Sequence, residues 1–204
     1  MRITREMALC LMLSAASAHA AEQGLYVGLQ GGQSDYGLGS VRYPDFFVAT
    51  ENFDDSTVAW GLTAGLRFHR YAALEVNYLN LGEVAASGLQ IVEGPPFFRS
   101  RPATYEIETT GFAIAGLGIL PLTEQWLLHL RAGLLLADAQ GILDGQNPPS
   151  GRSESLAIGA GVQFNARRQW SVRVEYQRFA DVGGGDAPCE ADIDLLSLAL
   201  TLRR

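Results

Sequence analysis

What most constrains this chain is a two-residue alternation of side-chain character that recurs in separate segments along most of its length. In Trp60-Gly-Leu-Thr-Ala-Gly-Leu-Arg-Phe68 the even positions are Trp60, Leu62, Ala64, Leu66 and Phe68, and the odd ones are Gly61, Thr63, Gly65 and Arg67. Successive side chains of a strand point to opposite faces, so a strand separates the two sets cleanly where a helix would mix them. The same alternation sets Leu74, Val76 and Tyr78 against Glu75 and Asn77, and Leu128, Leu130, Ala132 and Leu134 against His129, Arg131 and Gly133. It continues with Leu156, Ile158, Ala160, Val162 and Phe164 against Ala157, Gly159, Gly161 and Gln163. Trp170, Val172, Val174 and Tyr176 oppose Ser171, Arg173, Glu175 and Gln177, and Leu196, Leu198, Leu200 and Leu202 oppose Ser197, Ala199 and Thr201. With Leu25–Leu38 and Tyr105–Leu120 this makes eight segments, and each has roughly the length a tilted strand needs to cross a bilayer, ~9–11 residues. Register is least determined over Phe112–Ile119, where both phases are apolar or Gly.

The connections between these segments alternate in length. Gly39–Asp55, Ala85–Pro102 and Gln140–Ser153 are long, and Ala180–Asp192 is intermediate to long; His69–Tyr71, Leu122–Gln125 and Ala166–Gln169 are short. Both ends of the strand array then fall on the short-turn side, the arrangement of an even-stranded up-and-down barrel with short periplasmic turns and long outer loops. Trp126 and Trp170 begin strands just after short turns, and Phe68 and Phe164 end strands just before them. Those four predict an aromatic girdle at one membrane interface.

The first residues, Met1–Ala20, read as a secretory signal peptide. Arg2 and Arg5 precede an apolar stretch from Met7 to about Ala16, and Ala18-His19-Ala20 supplies an A-x-A cleavage site. The apolar run is shorter than the ~20 residues of a membrane-spanning helix. Cys10 would leave with this leader, so Cys189 would be the single thiol of the barrel domain, residues 21–204, and no intramolecular disulfide would form. Losing Arg2, Arg5 and Glu6 takes the formal charge from -7 to -8, which argues against a nucleic-acid partner.

Alternation also occurs in soluble antiparallel barrels and sandwiches. Two features favour the membrane. The uninterrupted phase is the apolar one, while the other carries Gly, Ala, Thr and a few charges; a soluble barrel would keep large apolar residues inside and charges densely outside. Export past the inner membrane points the same way.

At this point the chain resembles the OmpA-like eight-stranded outer-membrane β-barrel family. The likeness rests on Leu25-Tyr-Val-Gly28, Ala73-Leu-Glu-Val-Asn-Tyr78 with Leu81-Gly82, Arg131-Ala-Gly133, and above all Val172-Arg-Val-Glu-Tyr-Gln-Arg-Phe179. It spans Gln23 to Arg204 and implies a single-domain member without the peptidoglycan-binding domain of larger relatives. The family's barrels commonly finish on an aromatic residue read by the assembly machinery, whereas this sequence reads Leu202-Arg203-Arg204.

With the apolar phase toward lipid, Arg67, Glu75, His129, Arg131, Arg173 and Glu175 point into the lumen together with Tyr26, Gln30, Asn77, Gln163 and Gln177. Eight strands leave an interior just wide enough for side chains to fill. Buried charges there must pair, and Glu75 and Glu175 are the natural guanidinium partners. The resemblance also implies an alternative, a narrow gate that opens by exchanging ion-pair partners. The segment carrying Gly116 and Gly118 offers no lysine for such an exchange.

An enzyme acting on lipid A would need His with Ser or acidic partners near the outer leaflet. His69 falls in a short periplasmic turn, His129 in the lumen, and neither a Gly-x-Ser-x-Gly elbow nor a His-Ser pair occurs. Glu106 and Glu108 share one strand face as a hydrated rim. No cofactor and no metal site is expected. Among the loop residues, Asp45, Glu51, Asp54, Asp55, Glu93, Asp144, Glu154, Asp186, Glu190 and Asp192 make the outer side acidic, while Arg70, Arg167, Arg168, Arg203 and Arg204 gather at the periplasmic side. An acidic rim could share divalent cations with lipopolysaccharide phosphates. Phe46, Phe47, Phe97 and Phe98 could anchor a host or phage ligand, extend the wall, or fold over the mouth. The expectation is therefore a monomeric outer-membrane barrel for envelope integrity and surface display, with a small gated channel as the alternative. Its partners would be outer-membrane lipid, lipopolysaccharide and the assembly machinery.

Overall fold

The computed structural model describes residues 24–40, 46–47, 56–92, 99–143, 151–166, 169–182 and 190–203, whose regular structure is entirely β. The strands are β1 (Gly24–Ser40), β2 (Phe46–Phe47), β3 (Ser56–His69), β4 (Ala72–Val92), β5 (Arg99–Pro121), β6 (Trp126–Leu143), β7 (Gly151–Asn165), β8 (Trp170–Val182) and β9 (Glu190–Arg203). All but β2 form the wall of a closed barrel. Each pairs antiparallel with its neighbour in the order β1, β3, β4, β5, β6, β7, β8, β9, and β1 pairs with β9 to close the ring. Closure removes the unpaired strand edges that an open sheet would expose to lipid.

The short turns follow local chemistry. At the β5–β6 turn the Thr123 Oγ1 accepts from the amides of Gln125 and Trp126, at 3.2 and 3.0 Å, and the Leu122 amide donates to the Trp126 carbonyl at 2.9 Å. A hydroxyl bonding the backbone two or three residues on is how Thr fixes a tight turn. The β3–β4 turn is only Arg70-Tyr71, with the Arg70 guanidinium carbon 4.3 Å from the centre of the Tyr71 ring, a cation–π contact.

At the other end the strands run further than the alternation suggests. Ala85–Pro102, read as a loop, is largely ladder: β4 continues to Val92, β5 starts at Arg99, and Val92 pairs with Arg99 at the top of the hairpin. The connections read as Gly39–Asp55, Gln140–Ser153 and Ala180–Asp192 also shorten, because β1 reaches Ser40, β6 reaches Leu143, β7 starts at Gly151, β8 reaches Val182 and β9 starts at Glu190. Alternation ends where lipid ends; backbone pairing does not, because a ladder beyond the membrane needs no apolar face. Phe46 and Phe47 form the two-residue β2, paired with Gln90 and Leu89 of β4. Phe97, Phe98, Cys189 and Met1–Ala20 lie outside the described residues.

Where both phases of β5 are apolar, the barrel turns Phe112, Ile114, Gly116, Gly118 and Leu120 outward and buries Ala113, Ala115, Leu117 and Ile119. Shape decides here: Gly111 and Gly133 face inward where an added Cβ would meet neighbouring backbone, so the small residues permit strand contact and the large ones fill the bore.

The ladder is interrupted near the outer end of β8, between Phe179 and Val182, and midway along β4, between Asn80 and Glu83. Gly82 there has φ 90°, and its amide donates to the Asn80 side-chain oxygen at 2.9 Å. A left-handed residue inside a strand marks a bulge, the device by which a wall bends.

Candidate functional site in the barrel lumen

The exterior between the two strand ends is an apolar band. Leu29, Leu62, Val76, Ile114, Leu130, Val174 and Leu198 are among the exposed large side chains that would be anomalous in water. At the short-turn end Phe68, Trp126 and Trp170 are exposed and Phe164 half-exposed, the rings of Trp126 and Phe164 lying 4.9 Å apart. A second set, missed in the sequence, lines the opposite edge: Trp60, Tyr78 and Phe112 follow one another around the wall with ring centres 5.8 and 5.2 Å apart, and Tyr176 is exposed further round. They escape notice because they border long connections whose strand ends the alternation does not fix; only cross-strand register aligns Trp60, Tyr78 and Phe112. Beyond them outward positions turn polar, with Gln33, Asp35, Asn80, Glu108, Asp138, Glu154, Arg178 and Asp194. Arg178 pairs with Asp192 at 2.5 Å and lies 3.9 Å from Asp194, and this guanidinium, helped by the Asp181 amide, holds the Asp192 carboxyl below its ordinary range.

Inside, Arg67, Glu75, His129, Arg131, Arg173 and Glu175 are all buried, along with Gln30, Asn77, Gln163 and Gln177, and Tyr26 is partly buried. Four of the six charged or imidazole groups form one ring of alternating sign. Arg173 of β8 donates from Nη1 to Glu75 Oε1 at 2.8 Å and from Nη2 to Oε2 at 3.3 Å. Arg131 of β6 pairs with Glu75 through Nη2 and with Glu175 through Nε at 2.7 Å. Glu175 returns to Arg173 at 3.2 Å, which closes the ring. Tyr26 donates its hydroxyl to Glu75 at 2.6 Å, and Arg131 Nη1 donates to Gln177 at 3.3 Å. Two guanidinium groups against two carboxylates neutralise one another, which is the condition for keeping charge out of water. Tyr26 reaches Glu75 because its cross-strand partner on β3 is Gly65, and the phenol ring fills the space that a Cβ there would take.

Arg67 and His129 stand apart from that ring, toward the periplasmic end. Arg67 donates to the carbonyls of His69, at 3.4 Å, and Arg70, at 2.5 Å. His129 is 3% exposed, and neither of its nitrogens has a hydrogen-bond partner.

The outer half of the lumen differs from the expected polar interior. Beyond the ring it is packed with Leu79, Leu81, Leu135, Phe179, Ile193 and Leu195, all buried and mutually clustered. Tyr36 joins them and donates its hydroxyl to the Leu81 carbonyl at 3.2 Å. The middle of the lumen is therefore polar, its outer half apolar, and toward the periplasmic end Leu117, Ile119 and Leu127 form a second apolar cluster beside the polar groups. On β4, β6 and β8 these inward apolar positions follow the polar ones in sequence, and on β9 Ile193 and Leu195 precede Ser197 and Thr201; in both cases they look like the end of the pattern rather than its inner face.

An antiparallel barrel with an apolar exterior, aromatic belts at both edges and an ion-paired interior defines an outer-membrane β-barrel protein. The chain belongs to the outer membrane protein beta-barrel domain family, whose model matches residues 7–202. No curated protein matches it. Among solved structures it is similar to Ail, the attachment invasion locus protein of Yersinia pestis, crystallised in complex with the heparin analogue sucrose octasulfate: 14% identity, TM-score 0.55, covering 90% of this chain and 100% of that one. Neisserial surface protein A gives 14% identity and TM-score 0.58, covering 89% and 97%. The N-terminal barrel of Pseudomonas aeruginosa OprF gives 10% identity and TM-score 0.50, covering 88% and 98%. At such identities the likeness concerns the fold.

Proposed function

We propose that this protein is a non-conducting barrel of the outer membrane that supports envelope integrity and carries its outer strand extensions and loops as a display surface. The observation that carries the reading is the double occlusion of the bore. Glu75 and Arg173 sit on strands four places apart in a ring of eight, so their pairing crosses the lumen. The apolar packing of Leu79, Leu135, Phe179 and Ile193 then seals the outer half. An ion would have to break a buried ion pair and traverse a dry segment, both costly. Planar-bilayer recording on the purified protein tests this. No discrete conductance is expected; steps that vanish in Arg131→Ala or Glu175→Ala would favour the gated channel instead.

The display surface is acidic. Among the described side chains, Asp35, Glu83, Glu108, Asp138, Glu154, Asp192 and Asp194 are exposed or half-exposed around the outer rim, against Arg152 and Arg178. Ail was crystallised with a polyanion; such a ligand would be repelled here, and the rim suits divalent cations shared with lipopolysaccharide phosphates. Among the described residues no three metal-ligating groups converge, so each carboxylate would contribute singly to a cation held mainly by lipid. A catalytic role finds no support: Ser171 Oγ bonds Thr201 Oγ1 at 2.5 Å, and neither imidazole nitrogen of His129 has a partner. Removal of Met1–Ala20 on export, insertion by the assembly machinery and a monomeric state belong to the same reading. Binding of this protein to cells or phage, lost on deletion of Ala85–Pro102, would identify the outer surface as adhesive.

A further inference from the structure

The outer edge of the apolar band is not alike all the way round. On β3, β4 and β5 it carries Trp60, Tyr78 and Phe112, three rings on consecutive strands with centres 5.8 and 5.2 Å apart and planes inclined by 57° and 60°. On β6, β7, β9 and β1 the last outward positions before the polar ones are Leu136, Leu156, Leu196 and Gly31. Tyr176 of β8 stands outside this arc, and its hydroxyl donates to Asp194 at 2.7 Å. Scattered aromatic side chains are enough to anchor a barrel at an interface. Three in succession, with Trp60 48% and Phe112 55% exposed, make a continuous aromatic face instead.

The groups just beyond that face define what it can hold. Asn80 follows Tyr78 along the outward side of β4, and Thr110 and Glu108 precede Phe112 along that of β5. Both ends of the Asn80 amide are engaged: Oδ1 accepts from the Gly82 amide at 2.9 Å, and Nδ2 donates to Glu108 Oε1 at 3.0 Å. Asn80 thereby holds an exposed carboxylate above the rings, and Glu83 adds a second one nearby in the chain. No arginine is among the described outward side chains of these three strands, so a bare phosphate is repelled there. A sugar ring has the complementary surfaces, with polarised C–H groups for the negative faces of the aromatic rings and hydroxyls to donate to a carboxylate. The depth agrees, because the level at which outward positions change from apolar to polar meets the headgroup zone of the outer leaflet. We propose that Trp60, Tyr78 and Phe112, with Glu108 held above them by Asn80, form a docking face for the sugar headgroup of an outer-leaflet glycolipid. This names a partner for the outward surface described above and rests on that surface being outermost, not on closure of the bore.

The test places the full barrel in phosphatidylcholine vesicles and adds, in separate series, lipid A, a neutral glycosyl diacylglycerol and phosphatidylglycerol. The chain has three tryptophans, so Trp126→Phe with Trp170→Phe leaves Trp60 as the single emitter. Its emission should change saturably with both glycolipids and not with phosphatidylglycerol. Adding Tyr78→Leu and Phe112→Leu should raise the half-saturating mole fraction about tenfold, as expected for two lost aromatic contacts, and Glu108→Ala should raise it as well. If the tryptophan-depleted variant does not fold, the indole N–H resonance of Trp60 in the unsubstituted protein decides, with those of Trp126 and Trp170 unmoved. No response to the glycolipids, or an equal one to phosphatidylglycerol, overturns the proposal and leaves the arc as a depth anchor. A response to lipid A without one to the neutral glycolipid overturns it equally, since the phosphates are then what is recognised. Conductance in the bilayer experiment would refute occlusion without touching this face, so the two readings fail separately.

Discussion

Glu75 and Arg173 are 98 positions apart in sequence and 2.8 Å apart across the bore, on strands that face each other from opposite sides of the barrel. The pair ties two halves of the wall together in a way no neighbouring-strand contact does.

Removing one member should cost more than the pair is worth. Glu75→Gln leaves Arg173 and Arg131 buried against a neutral amide, and a loss of about 3–5 kcal/mol is expected on breaking a buried ion pair of this kind. Reversible urea unfolding in lipid vesicles would measure it. Replacing all four ring residues with apolar side chains of similar volume should recover much of the loss, because no buried charge is then left alone.

Leu198 faces lipid near the middle of the band, opposite Val174 on β8. Leu198→Arg should destabilise the folded barrel by about 2–4 kcal/mol, the cost of a guanidinium at the bilayer midplane. The same unfolding assay reads it, and a soluble β-protein would show a far smaller effect for an exposed position.

Gly82→Ala should destabilise on two counts. The φ of 90° is poorly tolerated by an L side chain, and the added Cβ would lie 2.7 Å from the Val58 carbonyl oxygen. The conformational part alone is roughly 1–2 kcal/mol. A shift of the unfolding midpoint toward lower urea checks the direction.

The Asp192 carboxyl should titrate below the ordinary aspartate range, because the Arg178 guanidinium and the Asp181 amide both favour its charged form. A depressed folded-state value means that its small contribution to stability is present above the unfolded value, near 3.8, and is lost as pH falls through the lower folded one. Carbon-detected NMR of the carboxyl gives the midpoint; Arg178→Ala should move it upward.

The wall was legible in the sequence to the extent that lipid wrote it. From Trp60 to Phe68 and from Trp170 to Tyr176 a strand must show hydrocarbon one side and the lumen the other, so every second residue is constrained. Past Glu83 on β4 or Asp138 on β6 no lipid imposes a phase, and the hairpins that continue there through backbone pairing, such as Val92 with Arg99, left no periodic trace.

By itself, then, the sequence determined the class of fold, the number of membrane-crossing strands and the phase of most side chains, because period two is a local property that each segment carries independently. Only the tertiary structure decided which inward groups meet. Closure of the ring brings β8 opposite β4 and so chooses Arg173 for Glu75, and its register aligns Trp60, Tyr78 and Phe112 into a second belt. Closure also turns Leu79, Leu135, Phe179 and Ile193 into an apolar seal and leaves His129 facing a cavity. Those relationships depend on how far each strand is shifted against the next around the whole barrel, and no segment of the chain encodes that shift alone.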